Sequence, residues 1–245
     1  MDKVDFERSI LEMATPLLLE IYGEFRVDLE QKDRPDAAII LSDPANTSGS
    51  HAKPRKVGIE ITSVDKQADQ QYLNDEKYGQ EIVGKEVESV LQGGTPSENP
   101  IKRIEIPIKE NYIYDGISKK AEKYQSYAET ENYDEIILLC YSDIIWPDHR
   151  FYKGGLKHWT DFTLSRESYP FDRVIFVSTI GPGLSQIYSK RNPRIERPRK
   201  YKYSEGSITA IQPGIIPLGT FDLSKKYSNP PAISPRASKK PKRKK

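Results

Sequence analysis

The sequence is short of the side chains that most often hold metals or link chains covalently. Its one cysteine, Cys140, forbids an internal disulfide and a cysteine-based zinc site. The three histidines, His51, His149 and His158, supply little imidazole for metal or base chemistry. Neither His149 nor Asp161 forms a recognisable triad with Ser165, so a serine-hydrolase mechanism has no support. Gly93-Gly94 is followed by Thr95-Pro96 rather than by Lys and Ser or Thr, which excludes a phosphate-cradling loop there. No apolar run approaches the roughly 20 residues of a membrane-spanning helix. No signal-peptide pattern opens the sequence, and the expected compartment is the cytoplasm. No internal repeat is visible. What remains is a chain of 245 residues, 36% hydrophobic and 30% charged, polar for an enzyme yet able to bury one substantial core.

The most organised stretch runs from Arg34 to Ser63. Lys56-Val57-Gly58-Ile59-Glu60-Ile61-Thr62 alternates strictly, so Val57, Ile59 and Ile61 share one face of a strand and Gly58, Glu60 and Thr62 the other. Asp36 follows Pro35 and opens the apolar run Ala37-Ala38-Ile39-Ile40-Leu41, a strand start. Between the two runs, residues 43–50 are dense in turn formers. The pattern predicts a hairpin with a long loop that brings Asp36 and Glu60 together. Two carboxylates held close repel unless a cation or proton lies between them, and an all-oxygen site suits Mg²⁺.

Pro35-Asp36, a loop, and then Glu60-x-Thr62 on a strand resembles the PD-(D/E)xK nuclease superfamily, over roughly residues 5–180. The resemblance implies a restriction-endonuclease-like fold in which Asp36 and Glu60 bind Mg²⁺ or Mn²⁺. The family's lysine, two residues after the second acid, is Thr62 here. In branches of the superfamily that lysine has moved to the following helix, and Ile117-x-x-Lys120-x-x-x-Tyr124 is similar to that arrangement. Lys120 is therefore carried as the catalytic lysine, with Lys123 second; Gln125 invites comparison with a helix glutamine of some relatives but projects away from Lys120. The superfamily also implies an acid from the first helix. Glu12, Glu20 and Glu24 are not separated by spacing, and Glu20 is carried as the third metal ligand.

The remaining elements follow from periodicity. Residues 4–22 read as a helix that Pro16 threatens to split, and Phe25 to Leu29 as a short strand. Residues 75–91 fit a helical insertion, and Arg103 to Ile108 a third core strand. Gly116 to Glu129 reads as one helix with Ile117, Ala121, Tyr124 and Ala128 buried and Lys120 at the stripe's edge, where a lysine can bury its stem and keep its ammonium at a rim. Asp134 to Tyr141 and Arg173 to Ser178 read as buried strands joined through a helix near 155–165, a crossover unit. Ser207 to Ile211 and Gly214 to Leu218 read as short strands.

The formal net charge of +2 conceals an asymmetry, because Arg236 to Lys245 holds seven basic residues and no acid. Lys190 to Lys202 holds seven basic residues and one acid. Such clusters are a footprint of polyanion binding. Arg191, Arg194, Arg197, Arg199, Lys200 and Lys202 are the nucleic-acid contacts this reading names; a terminal basic run is equally a solubilising or targeting appendage.

The fold class expected is α/β, a mixed central sheet flanked by helices, with a basic C-terminal extension. The divisions expected are a nuclease-like domain over 1–183, a basic extension packed on it over 184–223, and a disordered basic tail over 224–245. The function expected is Mg²⁺- or Mn²⁺-dependent hydrolysis of phosphodiesters in DNA, or RNA, with no membrane partner and with oligomeric state open, a dimer among the options. The alternative is a module of the same fold that binds nucleic acid or protein without catalysis. Deleting Arg236 to Lys245 is expected to lower nucleic-acid affinity and flatten its dependence on salt, since fewer counterions are released. Binding isotherms at several salt concentrations check this, and unchanged affinity and slope would make the tail an appendage or an address.

Overall fold

The computed structural model describes residues 3–31, 34–42, 55–74, 84–85, 87–95, 101–181, 183–200 and 205–213. The chain divides into two compact units, Met1–Gly214 and Ile215–Lys245, and every described residue lies in the first. The expected strand at 214–218 and the expected tail at 224–245 lie outside the described residues.

The first unit is a mixed α/β structure around a six-stranded sheet of order β1-β2-β3-β5-β6-β7. Its strands are β1 (Phe25–Val27), β2 (Ala37–Leu41), β3 (Lys56–Ser63), β5 (Glu135–Ser142), β6 (Arg173–Ser178) and β7 (Leu184–Ser189). β2 and β3 pair antiparallel as the expected hairpin, β3-β5-β6 are parallel, and β6 and β7 are antiparallel. β5 and β6 are buried on both faces, which is why they read as unbroken apolar runs.

Helix α1 (Lys3–Tyr22) covers one face, packing Ile10, Leu11, Ala14 and Leu18 onto Val57, Ile59, Ile137 and Leu139. Pro16 does not split it. It lies on the exposed side, where the carbonyl deprived of its N–H donor can be hydrated. The other face is covered by α3 (Tyr112–Ile117), a 3₁₀ turn (Ser118–Lys123), α4 (Tyr124–Ala128) and α5 (Lys157–Arg166), with Ile113, Ile117, Tyr127 and Leu164 over Ile136, Leu138 and Val174. A further helix, α2 (Gln67–Asn74), follows β3, and residues 87–91 of the expected insertion are helical.

Three expectations are corrected. β4 (Ile101–Ile108) does not join the central sheet; it pairs antiparallel with β8 (Gly206–Pro213) in a separate two-stranded sheet. Ile106 and Ile108 still reach the core, but Glu105 and Pro107 face solvent, and β3 pairs directly with β5. Residues 184–189 form the edge strand of the central sheet rather than part of an appended extension, since β7 is hydrogen-bonded to β6, and β8 draws the unit on to Gly214. The single helix expected from Gly116 to Glu129 is broken at Ser118–Lys123, where the winding tightens to 3₁₀.

Gly116 presses α3 onto the end of β3. A Cβ placed there would lie 2.4 Å from the Val64 carbonyl oxygen and 2.6 Å from its Cα, so any side chain forces backbone apart. Gly116→Ala is expected to destabilise the fold by about 1–3 kcal/mol. A thermal melt followed by circular dichroism reads this, and an unchanged midpoint would show that α3 is not held at Val64.

Candidate active site

Asp36 and Glu60 are brought together by the hairpin register. Ala37 pairs with Ile59, so one residue further the register sets Asp36 opposite Glu60. Gly58 makes room for this approach: a Cβ at 58 would stand 3.0 Å from Pro35 Cγ and 3.2 Å from the Tyr133 ring. Asp36 is then pinned through Oδ2, which accepts the Ile61 N–H at 2.7 Å.

Glu60 is only 3% exposed, on the sheet face that carries Leu138. Its Oε1 accepts the Tyr127 hydroxyl at 2.8 Å and the Lys120 ammonium, which forms an ion pair with it. The 3₁₀ turn explains how a lysine at the stripe's edge arrives there. At three residues per turn, positions i and i+3 eclipse, so Lys120 falls beneath the buried Ile117. Tyr127 follows on the same side and is buried. Burial, its hydrogen bond to Glu60 and the charge of that carboxylate hold the Tyr127 hydroxyl well above the usual phenol range, so it stays a donor. Tyr124, the aromatic of the sequence pattern, instead packs edge-on against Phe171.

Burial, the Glu60 charge and, more weakly, Glu7 raise the Asp36 carboxyl to about 6, against the Ile61 N–H and Lys120, which lower it. The first-helix acid within electrostatic reach is thus Glu7, not Glu20. Glu12, Glu20 and Glu24 are all exposed, whereas Glu7 is half-buried and also acts on Tyr141. The signal for Glu7 was its place on the buried stripe, one turn before Leu11, Ala14 and Leu18. Lys123 and Gln125 are exposed, and Gln125 bonds Glu129 at 3.0 Å. Thr62 is half-buried on the Glu60 face.

Beyond Glu60, Asp65 ties the strand ends together. It is 6% exposed and accepts the Ser142 hydroxyl at 2.7 Å, the Asp143 N–H at 2.7 Å and the Tyr112 hydroxyl at 2.9 Å. Burial outweighs these donors and raises its carboxyl to about 6. The sequence pattern gave no sign of this acid.

The basic stretch is partly engaged within the molecule. Arg191 pairs with Glu135 at 2.5 Å, beside Arg173 and the Tyr22 hydroxyl on the same carboxylate. Glu135 shares a face with Val57 and Ile137, the α1 side, so Arg191 lies across the sheet from Glu60. Arg194 lies 3.2 Å from His158 Nδ1, and Arg197 stacks over Trp159 at 5.4 Å. Arg199 and Lys200 are exposed, and Lys202 lies outside the described residues.

Among the described residues, no three His, Cys, Asp or Glu side chains form a group ready to hold a metal ion. Asp36 and Glu60 nonetheless fit a hard divalent cation: both donors are carboxylate oxygens, and the Glu60 charge, second to burial among the causes that raise the Asp36 carboxyl, is a repulsion that a cation between them would relieve. Comparisons of the chain with protein-family models, curated proteins and solved structures found no match.

The Asp36 shift has a definite sign. An ordinary aspartate titrates near about 3.9, whereas this one holds its proton to about 6 when folded. The folded state therefore binds the extra proton, and this group's contribution to stability is lost as pH rises through about 6. Asp36→Asn, which can still accept the Ile61 N–H, should stabilise the protein relative to wild type more at pH 8 than at pH 5, on the order of 1–2 kcal/mol. Urea denaturation in metal-free buffer measures it; an equal effect at both pH values would reject the assignment.

Proposed function

We propose that the chain is a metal-dependent nuclease of the PD-(D/E)xK type with a restriction-endonuclease-like fold, hydrolysing phosphodiester bonds of DNA or RNA. The observation that carries this reading is the convergence of Asp36, Glu60 and Lys120, from two strands and the following helical segment, on one side of the hairpin. Asp36 and Glu60 would hold Mg²⁺ or Mn²⁺, with Glu7 rather than Glu20 as the supporting acid, and the bound ion supplies Lewis-acid stabilisation of phosphate charge. The Ile61 N–H fixes the Asp36 carboxylate, and Tyr127 fixes that of Glu60, so neither must reorganise as substrate enters. Lys120 orients the attacking water and carries positive charge toward the phosphate, the task that Thr62, at the family's usual position, cannot perform. Lys120 is paired with Glu60 in the metal-free protein and would be released in part for that task when Asp36 and Glu60 hold a cation.

A second reading, a module of this fold that binds nucleic acid without cleaving it, is favoured by one observation: Lys120 is closed onto Glu60 rather than standing apart from it. A cleavage assay on plasmid, single-stranded DNA and RNA, with Mg²⁺, Mn²⁺ or chelator, separates the two. The expected result is metal-dependent cleavage, abolished by Glu60→Gln and reduced about 10²–10⁴-fold by Lys120→Gln. Glu60→Gln keeps shape but removes a charge, so metal affinity should fall at least tenfold in titration calorimetry. Absence of cleavage by wild type with either metal on all three substrates would reject the nuclease reading.

A further inference from the structure

Among the described residues, two cavities share Asn111, one of them reaching the residue before Lys120. The nearer, of about 410 Å³, lies along Val64 to Lys66 just past β3 and along α3 into the 3₁₀ turn at Lys119. Lys66, Lys109 and Lys119 line it, all three are exposed, and among the described residues none makes an ion pair. The farther, of about 360 Å³, lies between the start of α3 and α5 and is lined by Glu110, Asn111, Trp159, Phe162, Arg166 and Arg197.

The farther cavity is built differently from an ordinary surface cleft. Trp159, Phe162 and Arg166 recur at helical spacing, so α5 turns one face of two aromatic rings and a guanidinium to it. The rings meet edge to face at 6.1 Å. Arg197 lies over the Trp159 ring at 5.4 Å and Arg166 over Phe162 at 5.9 Å, while Arg166 keeps only a loose 3.9 Å contact with Glu167. The Trp159 indole N–H and Glu110 Oε2 are buried and unpartnered in the structure, one a donor and the other an acceptor. Buried polar groups without partners are rare and mark a place where a ligand group or water belongs.

Exposed guanidinium planes backed by the Trp159 and Phe162 rings, with one donor and one acceptor, are together a chemistry that recognises a nucleotide: a base stacked on a guanidinium plane, arginine on phosphate, and hydrogen bonds to a base edge. The volume falls within the range of small-ligand pockets, roughly 300–1,000 Å³. We propose that this cavity is a subsite for one unstacked nucleotide of a single-stranded nucleic acid, whose backbone crosses the three lysines of the nearer cavity toward Lys120. A base inside a duplex is stacked on its neighbours and cannot lie on the guanidinium planes of Arg166 and Arg197, whereas a base of a single strand or overhang can. The proposal rests on the nuclease reading for the direction of the path, and it names the strand form of the substrate.

The test is binding by the full chain in chelator, so that no cleavage enters it, with fluorescein-labelled oligothymidylate, a blunt hairpin duplex of equal length, and thymidine monophosphate. Wild type is expected to bind the oligothymidylate at least tenfold more tightly than the mononucleotide. Arg166→Ala with Arg197→Ala should weaken oligothymidylate binding at least tenfold and duplex binding less than twofold, with an unchanged melting temperature. Oligothymidylate should quench tryptophan fluorescence, and Trp159→Phe, which keeps a ring in the core, should remove most of the quench. No binding of oligothymidylate, an equal loss for duplex, an unchanged affinity in the double variant, or equal affinity for the mononucleotide would overturn the subsite. Failure of metal-dependent cleavage alone would overturn the nuclease reading and leave this binding result standing.

Discussion

A carboxylate kept almost wholly out of water governs the arrangement of this molecule. Glu60 is 3% exposed, and a buried charge costs several kcal/mol unless it is paired and hydrogen-bonded. Both of its partners, Lys120 and Tyr127, come from the single segment between β4 and β5. That segment must therefore lie tight against the sheet. The missing side chain at Gly116 allows the approach at Val64, and the 3₁₀ winding turns Lys120 inward under Ile117. Asp36 faces the reverse condition. It is held by one N–H and looks toward Glu60, so its carboxyl is raised while Glu60 is met by a cation. Two acids set opposite one another by the hairpin register thus sit in different environments, and separating the environments of paired titratable groups is how acid and base roles are assigned.

The parts of the fold legible in the sequence are those set by local period. The alternation of residues 56–62 gave the two faces of β3, and the unbroken apolar runs gave β5 and β6, because a strand buried on both sides has no polar face to show. Asp36 and Glu60 were legible for the same reason, as a strand start and the polar member of an alternating strand. Partnering was not legible. β4 has the alternation of a sheet strand, and nothing local says that its partner is β8, about a hundred residues away, rather than β3. Glu7 was hidden by appearance, an acid in a helix's first turns that looks solvated until the buried stripe through Leu11 is extended back to it. Lys120 was legible only at the edge of its stripe, since a wheel drawn at 100° per residue does not contain the tighter turn that carries it inward.

The same distinction applies to charge. A run of basic residues in sequence is conspicuous, but Arg191 is held by a buried acid on the α1 face, Arg194 faces His158, and Arg197 covers an indole ring. Glu135 explains the first of these: a carboxylate 6% exposed needs donors, and Tyr22 of α1, Arg173 of β6 and Arg191 of the turn after β7 provide them. Lys66, Lys109 and Lys119, by contrast, come from separate stretches that no linear scan would join. They carry unpaired charge within the described residues, and they stand next to the segment that delivers Lys120. The field a polyanion meets is set by where the fold leaves cations without partners, not by where the sequence crowds them. On that criterion unpaired cations are better provided by Lys66 after β3, Lys109 before α3 and Lys119 in the 3₁₀ turn than by the denser basic stretch after β7.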